Sequence, residues 1–182
     1  MTGALAFPEL DRSSADAFAD AVAPLFEGAP HFLARLTTAR PFGGATELFA
    51  RARSIAHAMP EADQLELIDA HPRLGAPPGS VSALSFVEQG YDRSHADAAA
   101  ESERVRLDHE LARLNAAYEQ RFGFRYCVFV AGRPRAALTI EITQALESDR
   151  AAEIDRALDA VVDIAADRYA TLTAPSPEGA TR

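Results

Sequence analysis

His71 closes a helical pattern and opens the stretch His71-Pro72-Arg73-Leu74-Gly75-Ala76-Pro77-Pro78-Gly79, with three prolines and two glycines in nine residues. A proline pushes the residue before it out of the α region, so the helix is expected to end near His71, with the ring carried on a rigid backbone. An unperturbed imidazole titrates at roughly 6.5, which suits proton transfer near neutral pH. The competing role is a helix-terminal histidine bonded to the last carbonyls. A second candidate is Ser85-Phe86-Val87-Glu88-Gln89. Ser-x-x-Glu has the form of a capping box. Equally, Gln89 beside a carboxylate suits an amide-rich ligand, and free N–H groups at a helix start suit an anion. The third is Arg168, either a solvated side chain beside Asp163 and Asp167 or a planar fork for a carboxylate or ureido group. The other histidines are His31, His57, His95 and His109. None forms an i, i+4 pair and no His-Glu-x-x-His occurs, so no metal site is expected. His57, His95 and His109 are expected to be exposed on helices.

The elements that must carry these residues are helical almost throughout. Phe18, Val22, Leu25 and Phe26 recur at helical spacing behind the caps Ser13 and Ser14. Leu48, Ala52, Ile55 and Met59 mark a helix entered from the turn Pro41-Phe42-Gly43-Gly44 and closed by Pro60. Leu65 and Ile68 belong to a short helix over about Glu61 to Ala70. A long helix is expected from about Ser94 to Phe122, its apolar stripe Leu107, Leu111, Leu114 and Tyr118, with Gly123 as its stop. Tyr126 to Val130 reads as a strand or as the buried start of a helix, and periodicity does not separate the two. Helices are expected over Ala136 to Leu146 and over about Ala151 to Leu172. The expected fold class is all-α: one domain over 1–173 and a frayed tail over 174–182.

Composition narrows the chemistry. The 182 residues carry 18 basic and 27 acidic side chains, a net charge of −9. An acidic chain neutralises few phosphates, so neither nucleic acid nor a membrane surface is an expected partner. All the basic residues are arginines. Without lysine there is no Schiff-base chemistry of the pyridoxal-phosphate or aldolase type and no P-loop lysine. Cys127, the single cysteine, forms no intramolecular disulfide, which fits a reducing compartment. No signal-peptide pattern, membrane-length apolar run or Ser-Lys-Leu ending is seen, so a cytoplasmic location is expected.

These pieces together resemble the 2-oxo-4-hydroxy-4-carboxy-5-ureidoimidazoline (OHCU) decarboxylase family. Leu67-Ile68-Asp69-Ala70-His71-Pro72-Arg73-Leu74-Gly75 is similar to its signature. Arg40-Pro41-Phe42, Ser85-x-x-Glu88-Gln89, Leu114-Asn115-x-x-Tyr118-x-x-Arg121-Phe122-Gly123-Phe124, Glu153-Ile154 and Ile164…Arg168 follow in the family order. The resemblance spans about residues 5–172. It implies a small helical fold, often a homodimer, that needs no cofactor and makes (S)-allantoin in urate breakdown. It implies His71 as catalytic proton donor and Glu88 as its acidic partner. Pro72, Ser85, Phe86, Val87, Glu88, Gln89, the backbone of Tyr126, Cys127, Val128, Phe129 and Val130, and Arg168 would bind the substrate. The chain departs from the family at Gly90-Tyr91-Asp92, where small residues are usual, in its short proline-rich loop, and at Arg125, where proline is common. The alternatives are a paralogue acting on another ureide or hydantoin-like acid, and a non-catalytic helical protein that binds a purine metabolite.

Overall fold

A computed structural model describes residues 6–90 and 98–174. Nine α-helices lie among them: α1 (Glu9–Arg12), α2 (Ala15–Val22), α3 (Pro30–Thr38), α4 (Ala45–Ala58), α5 (Glu61–Ala70), α6 (Ala83–Glu88), α7 (Ala98–Phe122), α8 (Arg135–Ala145) and α9 (Arg150–Thr173). Short 3-10 turns occupy Ala23–Phe26 and Pro78–Ser80. No strand occurs among the described residues, and the fold is all-α.

Local chemistry sets the helix ends. Ser14 caps α2 by accepting from the Ala17 N–H at 3.2 Å, and Asp149 caps α9 through the Ala152 N–H at 2.9 Å. Pro30 starts α3, where its missing N–H costs nothing. Gly123, at φ 81°, ends α7 in the left-handed conformation that glycine adopts most readily.

Helix α9 is the centre of the packing. Leu158, Val161 and Ala165 are fully buried along it, and it lies against α4, α5 and the first 3-10 turn, while α7 packs on α8. Phe18, Phe26, Phe32 and Leu48 fill the core beside it. Each such side chain contributes roughly 1.5–3 kcal/mol by leaving water. The Arg40-Pro41-Phe42 motif is a clamp within this half. The Arg40 guanidinium donates to the Ser13 carbonyl at 2.8 Å and stacks over Phe18 at 4.7 Å. The Asp11 carboxylate accepts from the N–H groups of Phe42 and Gly43.

Three features differ from the sequence reading. Helices α1 and α3 were not anticipated, although Phe32, Leu33 and Leu36 of α3 are buried at helical spacing. Helix α6 starts earlier than a capping box at Ser85 requires: its cap is Ser82, which accepts from the Ser85 N–H at 3.2 Å. Residues 125–130 form neither strand nor helix but an irregular strap, because no neighbouring strand runs beside them and side chains take up the carbonyls of Cys127, Phe129 and Val130. Residues 91–92, His95, the expected helix start at Ser94 and the tail beyond Ala174 lie outside the described residues.

Candidate active site

His71 stands at the C-cap of α5, its backbone turned out of the helix at ψ 141° as the following proline requires. Its ring is buried, with 4% of the residue exposed. Nδ1 lies 3.3 Å from the Leu67 carbonyl, one turn back. A carbonyl only accepts, so Nδ1 carries the proton and Nε2 presents a lone pair, which has no protein partner. Burial, reinforced by the positive charge of Arg168, holds the ring's pKa down at about 4, against weaker opposing pulls from Glu27 and the Leu67 bond. The helix-terminal bond to Leu67 thus sets the tautomer that leaves Nε2 bare.

Opposite His71 lies a buried charge cluster. Arg168 is 2% exposed, far from the solvated side chain that neighbouring Asp163 and Asp167 suggest. Its Nε and Nη2 donate to the two oxygens of Glu88 at 2.6 and 2.9 Å. Nη2 also reaches Glu27 at 2.8 Å and Ser85 at 3.0 Å. Nη1 donates to the carbonyls of Pro24 and Leu25 at 3.0 and 3.3 Å. The five N–H groups of the guanidinium are therefore spent within the protein, and its fork grips Glu88. Ser85 Oγ donates to Glu27 at 2.8 Å. Burial would raise the Glu27 pKa, but the Arg168 charge and the bonds from Ser82 and Ser85 outweigh it and hold the carboxyl low.

Glu27 has no motif around it and escapes the sequence reading. The one signal is conformational: it sits at φ 51°, in the left-handed region uncommon for a side-chain-bearing residue, and ends the first 3-10 turn. Such a backbone costs on the order of 1–3 kcal/mol; three polar contacts of its carboxylate, with Ser82, Ser85 and Arg168, offset it.

A cavity of about 280 Å³ opens between His71 and this cluster, at the small end of the range for small-molecule sites. His71, Pro72, Ser85, Glu88, Gln89, Arg168 and the strap residues Tyr126, Cys127, Val128, Phe129 and Val130 line it. Phe86 and Val87 do not, and Val87 is largely exposed. The reason is helical: on α6, Ser85, Glu88 and Gln89 stand at i, i+3 and i+4 on one face, and the two residues between them turn away. Leu74, Ala131, Gly132, Ile164 and Asp167 complete the lining. Ile164 and Asp167 sit on the face of α9 that bears Arg168.

Side chains around the cavity hold its walls. The loop after His71 is tied by Gln89, whose Oε1 accepts from the Gly75 N–H at 2.8 Å, and by buried Asn115, which donates to the Leu74 carbonyl at 2.8 Å. Arg125 donates to the carbonyls of Asp69 and His71 at 2.5 and 3.0 Å. Its N–H, which a proline would lack, donates to the Asp69 carboxylate at 2.8 Å. The departure from the family pattern at this position therefore braces the backbone of His71. Cys127 is buried, and burial pushes its thiol up to about 12, so it is neutral and inert as a nucleophile. No group of three or more metal-ligating side chains forms among the described residues. His57 and His109 are exposed on α4 and α7.

Comparison with known proteins identifies the family. The family model described as OHCU decarboxylase matches residues 11–170. The 2-oxo-4-hydroxy-4-carboxy-5-ureidoimidazoline decarboxylase of Haloferax volcanii is 30% identical over 168 residues, spanning 91% of this chain and 95% of that protein. A uric acid degradation bifunctional protein of Bacillus subtilis is 28% identical over 164 residues, 90% of this chain but 32% of its own length. A crystal structure of OHCU decarboxylase in the presence of (S)-allantoin superposes with a TM-score of 0.65 at 23% identity, covering 85% of this chain and 97% of that one. With the family model matching nearly the whole described chain, this protein belongs to the OHCU decarboxylase family.

Proposed function

We propose that the chain decarboxylates OHCU to (S)-allantoin in urate breakdown. The observation that carries this reading is the buried imidazole with an unpartnered Nε2, facing a cavity whose other side holds a carboxylate pinned by Arg168. A decarboxylation needs a sink for the electron pair left by carbon dioxide. In OHCU a ring C=N bond adjoins the carbon bearing the carboxylate, so the substrate supplies it. As the carbon–carboxylate bond breaks, its pair forms a double bond to the imine carbon, and the imine pair moves to nitrogen, which takes a proton from solvent. The remaining enol hydroxyl gives its proton to His71 Nε2, and the imidazolium returns a proton to the former imine carbon. One proton is consumed and one carbon dioxide released. His71 is neutral at physiological pH, so it donates only after it has first accepted, and the face it occupies sets the product's configuration.

No cofactor is invoked, and activity is expected to survive exhaustive chelation with EDTA and dialysis. The acidic chain and its buried free thiol support a cytoplasmic protein acting on a free small molecule, without nucleic acid or membrane partners, and the family resemblance supports a homodimer. No described helix is long and apolar enough to cross a membrane. The deciding experiment follows optical rotation after mixing the protein with freshly generated OHCU. Rapid appearance of the optical rotation of authentic (S)-allantoin is expected; rotation of the opposite sign, or racemic product at the uncatalysed rate, would overturn the assignment.

A further inference from the structure

The strap Tyr126–Val130 forms one wall of the cavity with no secondary structure of its own, so something else must set the direction of its peptide groups. On its far side is a partly buried polar knot. Arg156 of α9 donates to the Cys127 carbonyl at 2.9 Å and to Glu153 at 2.8 Å, and its guanidinium lies 4.6 Å from the centre of the Tyr126 ring. Glu153, only 3% exposed, also accepts from the Tyr118 hydroxyl of α7 at 2.8 Å. Tyr118 meets Tyr126 edge-on at 5.1 Å. Further along, Arg133 donates to the carbonyls of Phe129 and Val130. Arg133 and Arg156 line an outer cleft on the side of Val128 and Phe129 away from the catalytic cavity, which neither of them lines.

Peptide planarity turns this into a statement about the cavity. In a trans peptide the carbonyl of one residue and the N–H of the next point in opposite directions. The bonds after Cys127 and Phe129 are trans. Arg156 draws the Cys127 carbonyl outward and Arg133 does the same to that of Phe129, so the N–H groups of Val128 and Val130 face the other way. Among the described residues neither N–H has a protein acceptor.

We infer that Arg156, held by Glu153 and Tyr118, is a positioning residue that aims the Val128 N–H group at the oxygen atoms of the substrate, as Arg133 aims that of Val130. The inference rests on the proposed function above. Arg156→Gln is tested in the full chain, well below its melting temperature. The KM for OHCU and the Kd for (S)-allantoin are expected to rise at least tenfold while kcat changes less than threefold. Arg156→Lys, still able to donate to one carbonyl, is expected to fall between. A merely structural role would lower the melting temperature and the active fraction but leave KM and Kd of the folded protein unchanged, and that result overturns the inference. If Arg156→Gln does not fold, wild-type NMR decides: adding (S)-allantoin should move the Val128 and Val130 amide protons downfield, and unmoved amides in a protein that binds allantoin overturn it. A wild type that neither turns over OHCU nor binds allantoin overturns the functional reading itself, and this one with it.

Discussion

At the scale of single residues, the chemistry is set by what burial does to charge. His71 has a bare Nε2 and a pKa held near 4, so kcat/KM should stay level as pH falls through 6.5 and drop only as it nears 4. A pH–rate profile with an acid limb at about 6.5 would show instead a solvent-like histidine. His71→Asn should lower the rate of stereospecific product formation by roughly 10²–10⁴-fold with an unchanged helical circular dichroism spectrum. Arg168 makes a different prediction from a surface arginine. Because its fork is occupied by Glu88, Glu27 and Ser85, Lys is a poor replacement. Arg168→Lys should cut kcat/KM at least tenfold, about 1.4 kcal/mol, and should also lower the melting temperature, since two carbonyls and part of two carboxylates lose donors. Were Arg168 exposed, Lys would leave both unchanged. Glu27→Gln tests the residue the sequence does not announce. It should cost roughly 1–3 kcal/mol in stability by weakening charge-assisted bonds, and lower turnover as Arg168 and Glu88 shift.

At the scale of elements, the residues that make the family motifs recognisable divide into those facing the cavity and those holding its walls. Asn115 of α7 belongs to the second group. Its amide donates to the Leu74 carbonyl from a buried position. Asn115→Leu, close in size, should leave that carbonyl without a donor, at a cost of about 1–3 kcal/mol. By loosening the loop after His71 it should raise KM more than it lowers kcat. Parallel denaturant titration and steady-state kinetics check this; a stability loss with unchanged KM would make Asn115 a core residue only. The same division explains α6. Its register places Ser85 inside the helix, free to bond Glu27 and Arg168, because Ser82 takes the cap.

At the scale of the whole molecule, His71 links stability to pH. Its folded pKa lies below the unfolded value of about 6.5, so the unfolded chain binds the extra proton. Stability from this group is complete above about 6.5 and is lost as pH falls from there toward 4, at up to roughly 1.4 kcal/mol per pH unit. Melting curves of wild type and His71→Asn over this window should converge in slope at the high-pH end and diverge below. The sequence by itself determined the helical class, the ends of α5 and α7 and the break after His71, and it singled out His71, Glu88 and Arg168, which the fold brings to one cavity. These follow from periods of 3.6, from prolines and glycines that act on their immediate neighbours, and from residue types whose absence, as with lysine, closes off mechanisms. Only the tertiary structure decided that Arg168 is buried, that Glu27 joins it, that Phe86 and Val87 turn away, and that Tyr126–Val130 is a strap. These depend on contacts between residues as much as 144 positions apart, such as Pro24 and Arg168. No local pattern carries such information, because the burial that sets a side chain's partners and its charge state exists only once the helices have packed.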